Sequence, residues 1–254
     1  MIPITNAKVE TLDPTWTRFL GYSLLFDNPG RSLVSYRNSQ LNSCNIDSSP
    51  ELTLYKELSQ AVKEIDTQAA KEFGICLLPS SSYHVTFFDC GNQANAADAH
   101  AAAQPSLGHL LEGLPHSWTE DHALVRPAAE KAASLSADLP ISFRFSRLKN
   151  WSNVVLVAVL EPTDDSSDRF QRIVEERALL SSDYLSSYGF GAGAKFTPHV
   201  SLAYFANPSG AENSMELCQE LEGVLRRRTD GLEICFNSIS AYAFTDMATF
   251  FRHT

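Results

Sequence analysis

The chain has 254 residues, of which 44% are hydrophobic and 20% are charged, and this ordinary globular composition supplies enough apolar side chains for a substantial core. Thirty acidic residues against twenty basic ones leave a formal net charge of −10, which disfavours binding to a membrane or to long nucleic acids but permits a small anionic ligand in a local pocket. The mean hydropathy of −0.16 and the lack of any apolar run of about 18 residues exclude a transmembrane helix.

The cysteines predict a reducing environment. They are odd in number and widely spaced, without a CxxC pair, which indicates neither a disulfide framework nor a structural zinc site. Cys76, Cys90 and Cys235 lie in apolar, strand-like segments and are expected to be buried. Because the first residues also lack the features of a signal peptide, we expect a cytoplasmic protein. The five residues are Cys44, Cys76, Cys90, Cys218 and Cys235.

The first part of the chain alternates between predicted strands and a helix. An apolar strand ends at the turn Asn28-Pro29-Gly30, a polar loop follows, and Pro50 opens a helix that Gly74 closes. Two short apolar segments after the helix read as strands, the second of them halted at Asp89. The predicted ranges are 18–27 (strand), 31–49 (loop), 51–73 (helix), 75–78 (strand) and 83–88 (strand).

The second part repeats this plan after an Ala-rich segment, residues 93–138, in which we expect one or two helices. Ile141, Phe143 and Phe145 alternate with polar residues, as in a half-buried strand, and Gly189 ends a long predicted helix. The predicted ranges are 141–148 (strand), 154–160 (strand), 168–188 (helix), 196–205 (strand), 212–228 (helix), 232–244 (strand) and 248–252 (strand).

The two series indicate an internal duplication. Each contains a strand, a helix ended by Gly, and then a strand that bears a histidine about ten residues after that Gly. The local match is Ser-Tyr-His-Val-Thr-Phe-Phe against Thr-Pro-His-Val-Ser-Leu-Ala, at residues 82–88 and 197–203. We therefore expect an α+β fold in which residues 1–254 form one bilobal domain. Its two pseudo-symmetric lobes are expected to be interleaved, with a helical insertion at about 92–138, and the protein is expected to be a monomer.

The duplicated strands carry the residues most suited to chemistry. Alternate side chains of a strand face the same way, so His84 and Thr86 share one face, as do His199 and Ser201, with about 6–7 Å between the members of each pair. Facing each other across a cleft, two imidazoles provide a general base and a general acid for a phosphodiester, and the hydroxyls donate to its non-bridging oxygens. This chemistry requires no metal or cofactor. The opposite faces are apolar, with Val85, Phe87, Val200 and Leu202.

These motifs resemble those of the two-histidine (2H) phosphoesterase superfamily, which includes LigT-like RNA ligases and phosphodiesterases and the cyclic phosphodiesterases. Tyr-His-Val-Thr-Phe at 83–87 and Pro-His-Val-Ser-Leu at 198–202 carry the resemblance, which extends over roughly residues 18–252. It implies two antiparallel sheets that face a central cleft with helices outside. It also implies general acid and base roles for His84 and His199, and phosphate binding by Thr86 and Ser201.

The resemblance further implies metal-independent cleavage of 2′,3′-cyclic phosphates or related 2′- or 3′-linked phosphodiesters. The chain departs from the compact members by extra sequence at 29–49 and 92–138, and its opening Phe-Leu-Gly-Tyr-Ser at 19–23 and the run to Gly91 look closer to a bacterial branch. Both features bear on the identity of the substrate and not on the catalytic pairs. The expected partner is a small nucleotide or a short oligonucleotide. Two alternatives remain: a nucleotide-binding module that senses its ligand without turnover, and an RNA-end ligase that uses the same site.

Several other residues are candidates with an ordinary structural alternative. Lys195 shares the parity of His199 if no bulge intervenes and would add positive charge to the cleft, although a solvated lysine is the alternative. Four histidines in the Ala-rich segment (100, 109, 116 and 122) lack metal-ligand spacing, so we expect no metal site there. Candidate substrate-binding or base-stacking aromatic side chains, for which the core or the rim is the alternative, are Tyr22, Tyr83, Trp151, Tyr204 and Phe205.

Overall fold

The computed structural model describes residues 2–30, 32–36, 39–65, 67–193 and 195–253. Within them the chain has the predicted α+β composition. The strands are β1 (Val9–Thr11), β2 (Thr15–Trp16), β3 (Gly21–Phe26), β4 (Leu33–Tyr36), β5 (Ser39–Asn42), β6 (Ile75–Leu77), β7 (Val85–Asn92), β8 (Ile141–Trp151), β9 (Val155–Pro162), β10 (His199–Phe205), β11 (Glu233–Phe236), β12 (Ile239–Phe244) and β13 (Phe250–His253).

The α-helices carry the apolar stripes that the spacing predicts. In the first of them Leu54, Leu58 and Val62 are completely or almost completely buried. The longest ends at Gly189, whose φ of 82° is the left-handed conformation that favours glycine at a helix end. The helices are α1 (Thr53–Lys63), α2 (Thr67–Phe73), α3 (Gln104–Gly113), α4 (Arg126–Ser134), α5 (Ser167–Tyr188), α6 (Pro208–Asn213) and α7 (Met215–Arg228).

Two antiparallel sheets form the framework. One has six strands in the order β4-β5-β13-β12-β3-β7, and the other has five in the order β11-β8-β9-β10-β6. Strand β6 from the first series joins the five-stranded sheet, and the late strands β12 and β13 join the six-stranded sheet. The two halves are therefore interleaved and not consecutive along the chain.

The helices cover the outer faces of the sheets. Helix α1 packs against β10 and β11, α7 packs against β8, and α4 from the Ala-rich segment packs against β3 and β12. Because each sheet buries an apolar face under these helices, the opposite faces are left to meet each other. Among the described residues, no helix is both long enough and apolar enough to cross a membrane.

The segment predicted as a loop at 31–49 differs most from expectation. Strands β4 and β5 pair in an antiparallel hairpin, and β5 extends the sheet through the pairs Leu41–Phe251 and Gln40–Arg252. Each strand has only four residues, so their conformation depends on the pairing of β5 with β13 on one side and with β4 on the other. Arg31, Arg37 and Asn38 lie outside the described residues.

The boundaries of other strands and helices also differ from the predicted ranges, because of tertiary contacts. Strand β7 continues to Asn92 because its backbone pairs with β3 as far as Gly21, which outweighs the turn tendency of the Asp-Cys-Gly-Asn segment. The segment 232–244 is two strands in different sheets, and the helix predicted at 212–228 is divided at Ser214. The prediction that Cys235 is buried was wrong, because β11 alternates and turns Cys235 outward while Ile234 and Phe236 face the core.

Candidate functional site

A cleft of about 780 Å³ opens between the two sheets. Its volume lies within the range of small-molecule pockets. On one side of the cleft are His84, the residue just before β7, and Thr86 of β7 in the six-stranded sheet. On the other side are His199 and Ser201 of β10 in the five-stranded sheet. Strands β7 and β10 approach each other to within 8 Å at their Cα atoms. The structure therefore brings the two sequence motifs together in one cavity.

The two histidines are held in the same way. His84 Nδ1 lies 2.7 Å from the carbonyl oxygen of Ser82, and His199 Nδ1 lies 2.9 Å from that of Thr197. A carbonyl only accepts, so Nδ1 must carry the proton and donate it in both rings. In the neutral imidazole this leaves Nε2 with a free lone pair as the ring nitrogen open to a ligand. Each half thus sets the same tautomer with a carbonyl two residues upstream.

The surroundings of both rings favour the neutral form. Burial lowers the pKa of His84 to about 4; the carbonyl of Ser82 opposes this shift, the charge of His199 adds to it, and the charge of Asp89 opposes it. Burial also lowers the pKa of His199, against the opposing effects of the Thr197 carbonyl and Asp89. An aromatic ring contacts each imidazole: Phe250 lies 4.2 Å from the His84 ring between centroids, and Trp151 lies 4.9 Å from the His199 ring.

The hydroxyl residues lie on the cleft side of their strands. Thr86 and Ser201 are half-buried and line the cavity, whereas the apolar residues predicted for the other face are completely buried. This confirms the predicted division of both strands into a polar and an apolar face. The residues on the apolar faces are Val85, Phe87, Val200 and Leu202.

A β-bulge follows each motif at the same position. In the six-stranded sheet Thr86 pairs with Leu25 and Phe88 with Leu24, so Phe87 is an extra residue. In the five-stranded sheet Ser201 pairs with Val157 and Ala203 with Leu156, so the residue between them, Leu202, is extra. Both bulges occur three residues after the histidine. A bulge reverses the alternation of the residues beyond it, so the parity expected from the sequence fails there.

The bulges turn two further residues into the cleft. Asp89 and Tyr204, each five residues after a histidine, line the cavity in place of Phe88 and Ala203. Asp89 is exposed, and Ser23 Oγ lies 3.4 Å from its Oδ1. Sequence reasoning missed Asp89, which strict alternation places on the apolar face, and treated it as the end of a strand. Its adjacency to a duplicated bulge is visible only after the strands are paired.

A buried arginine is hydrogen-bonded both to the first bulge and to the segment that precedes the second motif. Arg177 of α5 donates from Nε to the carbonyl oxygen of Phe87 at 2.7 Å and from Nη1 to that of Gly193 at 2.8 Å. Its Cζ lies 5.0 Å from the ring centroid of Phe196 and 5.8 Å from that of Phe88. Burial lowers the pKa of this guanidinium, and the charge of Asp89 opposes the shift. Sequence analysis did not identify this residue.

Three of the predicted aromatic residues offer no ring to a ligand. Tyr22 is 1% exposed and its hydroxyl donates to the carbonyl of Leu124, beneath the helical insertion. Tyr83 is also 1% exposed and packs edge-on against Tyr55 of α1. Phe205 borders the cleft but is completely buried. For these residues the core alternative is correct, because helices pack over them.

The remaining candidates divide between the cleft and the surface. Trp151 and Tyr204 line the cavity, Trp151 beside His199 and Tyr204 with its hydroxyl 3.2 Å from the sulfur of Met247. Lys195 is exposed and does not line the cleft, and the strand begins only at His199, so strand alternation does not extend back to Lys195. The expected parity of Lys195 with His199 is therefore wrong.

The N-terminal segment adds a wall that the sequence did not predict. Thr5 and Asn6 donate from their backbone nitrogens to the carbonyl of Ala206, and the Asn6 amide donates to that of Phe205. This places Lys8 at the cleft, with its Nζ 4.8 Å from the ring centroid of Phe19 and 5.3 Å from that of Tyr204. Across the part of the chain that the structure describes, no three His, Cys, Asp or Glu side chains gather as metal ligands would.

Neither the sequence models of known families nor the curated proteins match this chain. Two solved structures are similar to this chain, the first of them in its fold. The conserved protein of unknown function ATU0111 from Agrobacterium tumefaciens str. C58 has 13% sequence identity and a TM-score of 0.50, covering 98% of this chain and 89% of that one. Usb1 from Kluyveromyces marxianus, in complex with uridine monophosphate, has 8% identity and a TM-score of 0.40, covering 93% of this chain and 97% of that one. At these identities the likeness concerns the fold alone.

Proposed function

We propose that this chain is a 2H-type phosphodiesterase that hydrolyses 2′,3′-cyclic phosphates or related 2′- or 3′-linked phosphodiesters of nucleotides or short oligonucleotides. The observation that carries the proposal is the matched pair of imidazoles in one cleft, each with Nδ1 bonded to a carbonyl two residues upstream. A hydroxyl residue follows each imidazole, on the same side of its strand. We further propose that residues 1–254 act as one bilobal unit, because the two sheets exchange strands, and that this unit is a monomer.

The reaction follows from these groups. One imidazole accepts a proton at Nε2 from a water molecule as the water oxygen attacks phosphorus. The other, protonated at Nε2, gives its proton to the 2′ or 3′ oxygen as the bond between that oxygen and phosphorus breaks. The hydroxyls of Thr86 and Ser201 donate to the non-bridging oxygens, on which negative charge develops in the transition state. The ring opens to a phosphomonoester, and the isomer formed reports which histidine is the acid.

Burial explains how the site acquires its catalytic proton. In the empty cleft the lowered pKa values of His84 and His199 keep both imidazoles neutral near pH 7. A bound phosphodiester carries a negative charge, which favours an imidazolium beside it. Substrate binding therefore promotes the state with one neutral and one protonated ring, which is the state that the reaction requires.

The test is turnover by the purified protein in EDTA with a panel of 2′,3′-cyclic nucleotides and short cyclic or 2′-5′-linked oligonucleotides, with products resolved by mass. His84→Ala and His199→Ala are each expected to abolish turnover. His116→Ala, which removes an exposed histidine that does not line the cleft, is the matched control and should retain full activity. Thr86→Ala or Ser201→Ala should lower kcat by about 10²–10³-fold.

Three outcomes would contradict the proposal. Turnover that persists in both histidine variants would refute the proposed acid–base mechanism. Turnover lost in EDTA and restored by a divalent cation would indicate a metallophosphoesterase. Ligand-induced thermal stabilisation without product, at saturating ligand, would favour the alternative of a nucleotide-binding module.

A further inference from the structure

A chain of aromatic contacts runs along the cleft from one catalytic candidate to a lysine. The His84 ring contacts Phe250, the Phe250 ring lies 5.3 Å from that of Phe244, and Phe244 stacks on Phe19 at 6.0 Å with an interplanar angle of 16°. Phe19 in turn lies under the Nζ of Lys8. All of these side chains line the cavity. The wall between His84 and Lys8 is thus apolar and flat-sided, which suits the faces of sugars and bases.

Lys8 is fixed at the far end of this wall and not free in solvent. Its backbone nitrogen donates to Asn6 Oδ1 at 3.0 Å, and the Asn6 amide anchors the segment to the carbonyls of Val154 and Phe205. Its Nζ lies between the rings of Phe19 and Tyr204. Cation–π contact with two rings holds the ammonium group in place while leaving its N–H donors available to an anion.

The charges of the cleft are few and asymmetric. Among the described residues that line it, the two histidines aside, Lys8 carries the positive charge and Asp89 the negative charge. Asp89 lies close enough to the histidines for its charge to act on both. A second phosphate near Asp89 is repelled, whereas one near Lys8 is attracted. This asymmetry orients a substrate with more than one phosphate.

The distance between the histidines and Lys8 sets the length of that substrate. Tyr204, which contacts Lys8, lies five residues after His199 in β10, and the bulge at Leu202 removes one residue from this spacing. Four residues of strand span roughly 13 Å. A mononucleoside 2′,3′-cyclic phosphate bound at the histidines has no second phosphate to place at that distance.

We infer that Lys8 forms a second phosphate-binding subsite, and that the preferred substrate is a short oligonucleotide of at least two nucleotides whose distal phosphate binds Lys8. This inference rests on the proposed phosphodiesterase function. The limited cavity and the net charge of −10 favour short chains over long RNA.

The test compares three substrates that end in a 2′,3′-cyclic phosphate: a mononucleoside, a dinucleotide with a free 5′-hydroxyl, and the same dinucleotide with a 5′-phosphate. The protein should prefer at least one dinucleotide over the mononucleoside in kcat/KM by about tenfold, as expected for one charge-assisted contact. Lys8→Gln should abolish that preference while leaving kcat/KM for the mononucleoside within about twofold, since the remaining site is unaltered. For the preferred dinucleotide, the slope of log kcat/KM against log salt concentration should be smaller in magnitude by about 0.7 in Lys8→Gln than in the unsubstituted protein.

Lys149→Gln is the matched control, because the Lys149 Nζ also lies over an aromatic ring, Trp151 at 5.0 Å, but the residue does not line the cleft. Equal losses for all three substrates in Lys8→Gln would overturn the inference and assign Lys8 to packing. Absence of a dinucleotide preference in the unsubstituted protein would also overturn it.

Dissociation constants for the ring-opened dinucleotide 3′-phosphates separate the subsite from the proposed function. If nothing is turned over but Lys8→Gln still weakens binding of the dinucleotide relative to the mononucleotide by about tenfold, the proposed function fails and the subsite stands. If turnover occurs without any dependence on Lys8 in either measurement, the subsite fails and the proposed function stands.

Discussion

Replacing Arg177 by methionine tests whether one buried side chain positions both histidine motifs of the proposed site. The guanidinium donates to the carbonyl of Phe87, inside the first bulge, and to that of Gly193, in the segment that leads to His199. Methionine keeps an unbranched, apolar stem of similar length but removes both donors. The change leaves two carbonyls without their partners and allows the bulge to relax.

The expected loss of stability follows from these contacts. Each hydrogen bond from a charged donor contributes about 1.5–3 kcal/mol, so two such bonds contribute about 3–6 kcal/mol. Removing a charge that is costly to bury offsets part of this loss. We therefore expect the free energy of unfolding of Arg177→Met to fall by about 2–4 kcal/mol, measured by urea denaturation with an unchanged m value.

A merely structural role would not change the kinetics of the folded protein, whereas a positioning role would. Displacement of Thr86 or His199 by about 1 Å is expected to lower kcat by up to about 10²-fold with a smaller change in KM. Arg172→Met on the same helix is the control: Arg172 is 54% exposed and pairs with Asp138 at 2.6 Å, so its loss should cost less than about 1 kcal/mol. Unchanged stability in Arg177→Met, or reduced stability with unchanged kcat in the folded fraction, would refute the positioning role.

Three further predictions concern the cleft and the long helix. The proposed reaction requires one protonated imidazole, and burial lowers the pKa of both, so kcat/KM should rise as pH falls from 7 towards 5. The kcat profile should lie at higher pH because a bound phosphodiester favours the imidazolium, and a kcat/KM maximum above pH 7 would contradict this. Asp89→Asn removes a charge that raises both pKa values, so the alkaline limb of the kcat/KM profile should move to lower pH; an unmoved limb would show that Asp89 does not act on the histidines. Gly189→Ala should lower the free energy of unfolding by at least about 1–2 kcal/mol in urea denaturation, because φ is 82° and a Cβ would lie 2.8 Å from the Asp98 carbonyl oxygen; Gly108→Ala, on helix α3 with open space around it, is the control.

The catalytic candidates were accessible from the sequence because they depend on local alternation. His84 and Thr86 lie on one side of a strand whose other side is apolar, and the same pattern recurs at His199 and Ser201. Each pair precedes the bulge of its strand, so within the pair the alternation depends on the strand alone. The ends of the helices were equally local, as the left-handed conformation at Gly189 shows.

The remainder of the site depends on which strands pair and which helices cover them. Asp89 enters the cleft because β7 has one more residue than its partner β3 at Phe87, and a bulge is a property of two strands together. Lys8 enters because the N-terminal segment bonds to residues about 200 positions later in the chain. Tyr22 and Tyr83 have the composition of a binding surface, but helical segments from elsewhere in the chain bury them.

The sequence by itself therefore determined the α+β composition, the duplicated plan and the two histidine–hydroxyl pairs, because each of these follows from a short segment whose pattern has one consistent structural interpretation. Only the tertiary structure decided which strands each sheet receives, the bulges, the access of Asp89 and Lys8 to the cleft, and the burial of the tyrosines. These features arise from contacts between residues that are distant in the chain, and the energy of such contacts is set by the partner and not by the local sequence.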